Sequence, residues 1–142
     1  MPRHGQVRPT LGEIASAFGI HVDTIEVPWG EPVTLDEIEA SLKSVKYNAM
    51  VCQASETSTG TWLPIREIGA LVQEVCPDTM FIVDGITAVG ASDLHMDDWK
   101  IDVVVAGSQK AFMLPTGLSF VCLSEKAWKK TKRPNVHVLF LI

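Results

Sequence analysis

Three polar segments of the sequence contain residue types that can do covalent chemistry, and each follows an apolar run. Residues 55–60 (SETSTG) directly follow the apolar run AMVCQA. Asp84 directly follows MFIV, and Lys110 is the last residue of GSQK, which follows IDVVVA. Hydroxyl groups beside a glycine can donate hydrogen bonds to a phosphate, and a carboxylate can pair with a cation. An amine can add to a carbonyl. These residues therefore predict a ligand or cofactor site with an amine nucleophile.

Each of the three segments also has an ordinary structural interpretation. Hydroxyl-rich loops before helices are common caps, an aspartate after a strand often caps a helix or a turn, and loop lysines are usually solvated. Asp84 could alternatively bind a metal or a protonated ring nitrogen, and Lys110 could be a neutral amine that forms a Schiff base. The combination favours the functional interpretation, because a phosphate cradle, a ring-nitrogen acid and an amine are what a pyridoxal-phosphate (PLP) site requires.

The periodicity of apolar residues predicts the elements that must position these segments. Helices are predicted over residues 11–18 before Gly19, from a capping box at Thr34 to about Lys43, over residues 65–75, and after the N-cap candidate Ser124. Strands are predicted over residues 21–27, 49–54, 80–83, 101–106 and 118–123.

The strands are continuously apolar and alternate with helices, which predicts an α/β fold with a mostly parallel sheet flanked by helices. In such sheets, ligands gather at the carboxyl ends of the strands. We therefore expect the loops that begin at residues 55, 84 and 107 to converge on one crevice.

Composition narrows the classes of function. The chain has 142 residues, of which 46% are hydrophobic, and its formal net charge is −5, so we expect one globular domain that does not bind nucleic acid. Cys52, Cys76 and Cys122 form no CxxC pair and predict buried free thiols in a reducing compartment. The sequence shows no secretory signal, no membrane-length apolar run and no metal-like histidine spacing, so we expect a cytoplasmic protein without a metal site.

The segments SETSTG, FIVDGITAVG and DVVVAGSQKAFMLPTGLSFVCLSEKAW resemble, in that order, the core motifs of class V PLP-dependent aminotransferases. The resemblance is strongest to the alanine–glyoxylate and serine–pyruvate aminotransferase group, and it runs from about Leu11 to Trp128. It implies the PLP-transferase type I large-domain fold. It also implies small amino acids and 2-oxo acids as substrates, and a homodimer with PLP near the subunit interface.

The same resemblance assigns roles to five residues. Lys110 matches the catalytic lysine that forms the Schiff base with PLP, and Asp84 matches the acid on the pyridine nitrogen. Ile86 matches the aliphatic residue that packs on one ring face. Thr57 matches the hydroxyl residue near the ring oxygen of the cofactor, and Gln109 matches a residue that helps to hold the phosphate.

Other parts of the sequence depart from the family pattern. Nothing before Leu11 matches the family's phosphate-binding turn or its stacking aromatic residue, and Arg133 does not match its carboxylate-binding arginine. The sequence thus divides into an irregular segment 1–10, a partial PLP-binding large domain 11–128 and an atypical tail 129–142. We expect a fragment with an incomplete active site, whose apolar tail is either a paired strand or a sticky end.

Two other functions are open at this point. A non-catalytic remnant of the lineage could act as a dimerising or partner-binding module. A nucleotide- or phosphate-ester-binding protein could use Asp84 for a metal, although GxxxxGK[ST] and GxGxxG motifs are absent. Because removal of a flanking domain exposes surface that was meant to be buried, we also expect the chain to be oligomeric or poorly soluble.

Overall fold

The structure, a computed structural model, describes residues 11–131 and the backbone of residues 137–141. The expectations for residues 1–10, 132–136 and 142 lie outside the described residues. No helix in the described part of the chain is long and apolar enough to cross a membrane. The elements, in chain order, are α1 Leu11–Ala17, β1 His21–Ile25, α2 Leu35–Ser44, β2 Ala49–Gln53, β3 Ser55–Glu56, β4 Thr61–Trp62, α3 Ile65–Val75, β5 Met80–Asp84, β6 Val103–Gly107, β7 Ser119–Leu123, α4 Glu125–Lys130 and β8 His137–Leu141.

The helix ends confirm the capping predictions. Thr34 and Glu37 form the capping box, in which the threonine N–H donates to Glu37 Oε2 at 2.9 Å and the Glu37 N–H donates to the threonine hydroxyl at 3.3 Å. Ser124 caps α4 by accepting from the Ala127 N–H at 3.1 Å. Gly19, with φ of 76°, follows α1 in the left-handed conformation that glycine adopts without strain.

The main sheet has six strands in the order β1-β8-β2-β5-β6-β7. All of its pairings are parallel except that of β7 with β6, so the expected mostly parallel sheet is confirmed. β7 reverses because the segment 108–118 is shorter than a parallel crossover normally requires. The short hairpin of β3 and β4 was not predicted from the sequence.

The tail of the chain contributes a strand to the interior of this sheet. β8 pairs in parallel with β1 on one side and with β2 on the other. Of the two alternatives for the tail, the structure therefore shows the paired strand.

Apolar side chains cover both faces of the sheet over most of its width. The larger cluster packs α2 and α3 on one face, and the smaller cluster packs α1 and α4 on the other. The fully buried members of the larger cluster include Ile38, Leu42, Ile65, Ile68 and Phe81. This arrangement is the helix-flanked sheet that the apolar strands predicted.

The prediction of buried thiols is wrong for two of the three cysteines. Cys52 is buried in β2, but Cys76 is half-buried and Cys122 is exposed. Four of the five β7 residues are exposed because this strand lies at the sheet edge, beyond the packed helices. Leu118, Val121 and Trp128 are also more than half exposed, so the expectation of an association-prone surface stays a prediction.

A buried carboxylate joins β5, β6 and α4 at the amino ends of the strands. Asp102, which is 5% exposed, accepts from the Phe81 N–H at 3.0 Å and from the Ser124 hydroxyl at 2.8 Å. Lys126 donates to the same carboxylate at 2.7 Å and to the Thr79 carbonyl oxygen at 2.7 Å. Lys126 is therefore the cation of a partly buried ion pair.

We predict that Asp102→Ala lowers the free energy of unfolding by about 3 kcal/mol, because the change leaves a buried N–H and a half-buried ammonium without their partner. Chemical denaturation followed by circular dichroism measures this change. The matched control is Glu125→Ala in α4, which breaks an exposed ion pair with Lys129 and should change stability by less than about 0.5 kcal/mol. Equal losses in the two variants would contradict a stabilising role for the buried network.

Candidate functional site

The carboxyl ends of three neighbouring strands lie at one edge of the sheet, where β6 extends two residues beyond β5, to Gly107. Gln53 at the end of β2 pairs with Asp84 at the end of β5, and Asp84 pairs with Val105 in β6. Parallel pairing in this register makes the three following loops leave the sheet side by side. The three loops therefore lie at one edge of the sheet, as expected for parallel strands, and their convergence on one crevice stays a prediction.

Contacts link the loop after β5 to the loops on both of its sides. The Thr87 hydroxyl donates to the Ser55 carbonyl oxygen at 3.3 Å, which links the loop after β5 to the segment after β2. On the other side, a Cβ atom placed on Gly90 would lie 3.3 Å from the Ala111 Cβ. The loop after β5 therefore lies between the hydroxyl-rich segment and the lysine-bearing loop and touches both.

Asp84 is half-buried and has one anchored carboxylate oxygen. Its Oδ1 accepts from the Ile86 N–H at 2.9 Å, a turn contact that also fixes Ile86 beside it. Among the described residues, Oδ2 accepts no hydrogen bond and is available to a ligand. Burial, and then the charge of Asp84, raises the pKa of the Cys52 thiol, so this neighbouring group stays neutral.

Lys110 and Gln109 lie exposed at the start of the loop that connects β6 to β7. The Lys110 amine makes no hydrogen bond or ion pair with the described part of the chain, so it too is available. The Gln109 side chain folds back over Gly107, where an added Cβ would lie 2.9 Å from its Oε1. Glycine at 107 is therefore required for this position of the amide.

A serine that the sequence analysis did not single out holds this loop. The fully buried Ser108 hydroxyl donates to the Pro115 carbonyl oxygen at 2.7 Å and accepts from the Leu118 N–H at 3.4 Å. The Ser108 backbone also pairs with Leu118 and accepts from the Leu114 N–H at 3.0 Å. Because Ser108, the first residue of the loop, contacts its last residue, Leu118, we call residues 108–118 the clipped loop. No periodicity or spacing signals such a contact.

Thr57 lies exposed in the turn between β3 and β4. The turn is shaped by Glu56, whose Oε1 accepts from the Ser58 N–H at 2.8 Å and from the Ser58 hydroxyl at 2.7 Å. Helix α3 begins after Pro64 with no side-chain cap. The ordinary interpretation of residues 55–60 as a helix cap is therefore wrong, and their hydroxyls are not used at that helix.

One cavity, of about 330 Å³, lies beside these loops. Thr57, Asp84 and Lys110 do not line it. It lies between the segment after β1 and the β3–β4 hairpin, and its lining includes Glu26, Trp29, Val33, Gln53, Glu56 and Leu63. The predicted cofactor residues therefore lie on an open edge of the sheet, outside this cavity.

Known proteins match this chain along most of its length. The family model for aminotransferase class-V matches residues 4–136. The soluble hydrogenase small subunit of Synechococcus is 35% identical over 97% of the chain, and the L-aspartate–glyoxylate aminotransferase of Paracoccus denitrificans is 34% identical over 97%. The crystal structure of alanine–glyoxylate aminotransferase from Nostoc superposes on 87% of the chain with a TM-score of 0.81 and 31% identity.

The match covers only part of each relative. The chain spans 36% of the length of the Synechococcus protein, 36% of the Paracoccus protein and 32% of the Nostoc structure. The likeness in fold confirms the PLP-transferase type I architecture for the part that is present. The family match over residues 4–136, together with this fold, shows that the chain belongs to the class V aminotransferase family.

Proposed function

We propose that this chain forms the cofactor-binding part of a PLP-dependent aminotransferase that acts on small amino acids and 2-oxo acids. The observation that carries the proposal is the position of three residues at one edge of the sheet. Thr57 follows β3, Asp84 ends β5 and Lys110 follows β6. Two of these residues, Asp84 and Lys110, keep a charged polar atom without a partner among the described residues. A ligand with a ring N–H and an aldehyde would satisfy both.

The donor and acceptor groups at this edge fit PLP. The cofactor, when bound, supplies an electron sink that stabilises negative charge at the substrate Cα. Asp84 Oδ2 would accept the ring N–H and keep that proton in place, while Oδ1 stays anchored by the Ile86 N–H. Fixing one oxygen orients the other, so the carboxylate does not have to be ordered at the moment of binding.

Lys110 has the role of the reactive amine in this proposal. Its Nζ would hold the cofactor through the aldehyde carbon, with the aldehyde oxygen leaving as water, and as a free amine it would take up and return the proton at the substrate Cα. The clipped loop restrains the backbone that carries Lys110, because Ser108, two residues before Lys110, makes the hydrogen bond to Pro115 that closes the loop. The amine itself stays exposed and free to change partners.

The remaining predicted residues would hold the cofactor in place. Ile86 would pack on one ring face, the Thr57 hydroxyl would donate near the ring oxygen, and the Gln109 amide would donate to the phosphate. Ile86 is fixed by its backbone contact with Asp84, whereas Thr57 and Gln109 are exposed.

Two of the relatives support the proposed substrates through their names, which specify L-aspartate–glyoxylate and alanine–glyoxylate aminotransferases. We propose alanine or serine as amino donor and glyoxylate or pyruvate as acceptor, in a cytoplasmic homodimer. A second candidate function is a non-catalytic dimerising module, which the exposed apolar residues of β7 favour. Amino transfer by this chain alone would eliminate that second candidate.

We predict that reduction of a PLP-treated sample with borohydride labels Lys110 with about one cofactor per chain, because its amine is accessible and lies on the same sheet edge as Asp84. Peptide mapping by mass spectrometry locates the label. Lys110→Arg should lose the label and Lys46→Arg, a change at an exposed lysine elsewhere, should retain it. Labelling spread equally over surface lysines would contradict the assigned site.

We also predict that Ser108→Ala weakens PLP binding about tenfold and lowers the free energy of unfolding by about 1 kcal/mol, since the Pro115 carbonyl oxygen and the Leu118 N–H lose their hydroxyl partner. Absorbance titration with PLP measures the first effect and denaturation measures the second. Ser92→Ala, at an exposed serine, is the control and should change neither. A stability loss with unchanged PLP affinity would show that the Ser108 hydrogen bonds do not position Lys110.

A further inference from the structure

The cavity between the segment after β1 and the β3–β4 hairpin has an apolar inner wall. Its volume of about 330 Å³ is in the range of small-molecule sites. Val33, in its lining, is 4% exposed, and the lining residues Val27 and Leu63 pack against the larger core cluster. The cavity can therefore bury the apolar part of a compact ligand.

The charge of the lining has one sign. Glu26 and Glu31 line the cavity from the segment after β1, and Glu56 lines it from the hairpin. No lysine, arginine or histidine is among the described residues of the lining. Negative charge beside an apolar wall attracts a cation more strongly than the same charge in open water does.

Two of these carboxylates have oxygens that a ligand can use. Glu56 Oε1 accepts from the N–H and the hydroxyl of Ser58, which orients the carboxylate, and Oε2 accepts no hydrogen bond from the described residues. The Glu31 carboxylate makes no hydrogen bond or ion pair with the described part of the chain. Both can therefore accept hydrogen bonds from a charged donor.

A tight turn holds an aromatic side chain at the same cavity. The Glu31 N–H donates to the Pro28 carbonyl oxygen at 3.1 Å, and Gly30, with φ of 86°, supplies the positive φ that the third residue of a type II turn requires. Trp29, in this turn, lines the cavity although it is 70% exposed. An indole face that the core does not cover is available for a cation–π contact.

We propose that this cavity binds a compact organic cation, an ammonium or guanidinium group on an apolar body. The charged group would accept the company of Glu31, Glu56 and Trp29, and the apolar body would lie against the inner wall. A bare metal ion fits less well, because no group of three acidic, histidine or cysteine residues in the described part of the chain is arranged to hold one. The proposal does not depend on PLP chemistry, since the predicted cofactor residues lie outside the cavity.

Calorimetric titration of the full chain with 2-phenylethylammonium tests the proposal, with 2-phenylethanol as a neutral ligand of nearly the same shape. We expect saturable one-to-one binding of the ammonium and a dissociation constant at least about tenfold higher for the alcohol, which lacks the charge that the carboxylates recognise. Equal affinity for the two compounds, or no saturable binding of the ammonium, would overturn the proposal.

Matched substitutions locate the bound cation. Glu31→Gln and Glu56→Gln should each raise the dissociation constant of 2-phenylethylammonium about tenfold, because each removes a charged acceptor and keeps the side-chain shape. Glu74→Gln removes the same charge from an exposed position near the end of α3 and should leave the constant unchanged. Equal weakening by all three changes would mean general charge attraction and would contradict a site in the cavity.

A second pair of variants tests the aromatic contact. Trp29→Leu should weaken binding several-fold, whereas Trp128→Leu, at an equally exposed tryptophan on α4, should not. Lys110→Arg should lose the PLP label and still bind the ammonium with unchanged affinity, so failure of the cofactor assignment can be told apart from failure of this one. Loss of ammonium binding in Lys110→Arg would assign the cation to the cofactor residues and overturn the proposal.

Discussion

Parallel pairing of β5 with strands on both sides is the constraint on which the candidate site depends. Because Gln53, Asp84 and Val105 are in register, the loops that follow β2 and β5 begin at one level, and the loop that follows β6 begins beyond Gly107 at the same edge of the sheet. A change of register by one residue would turn Asp84 to the other face of the sheet and away from these loops. The apolar core fixes the register, so the geometry of the candidate site depends on packing several residues below it.

The local parts of this arrangement could be predicted from the sequence. Thr34 and Ser124 cap their helices because their hydroxyls contact N–H groups only three residues away. The placement of Asp84 at a strand end follows from the apolar run that precedes it. Family motifs supplied the roles of Asp84 and Lys110, and the geometry adds that both keep an available polar atom among the described residues.

Contacts between distant segments could not be predicted in this way. The buried pair of Asp102 and Lys126 joins residues 24 positions apart, and neither residue type indicates burial. Cys122 lies in an apolar strand, yet it is exposed because β7 forms the edge of the sheet. Only the strand order shows that β7 is an edge strand. The turn that presents Thr57 and the clip made by Ser108 depend on tertiary neighbours, for which a single sequence has no periodic signal.

The position of β8 also has a consequence for the order of folding. His21 and His137 are register partners, so β1 must wait for a segment 116 residues further along the chain (137 − 21). Pairings across such long separations require costly loop closure and slow the folding of a domain. During synthesis, β2, β5 and β6 can assemble first, while β1 has an unpaired backbone until β8 is made.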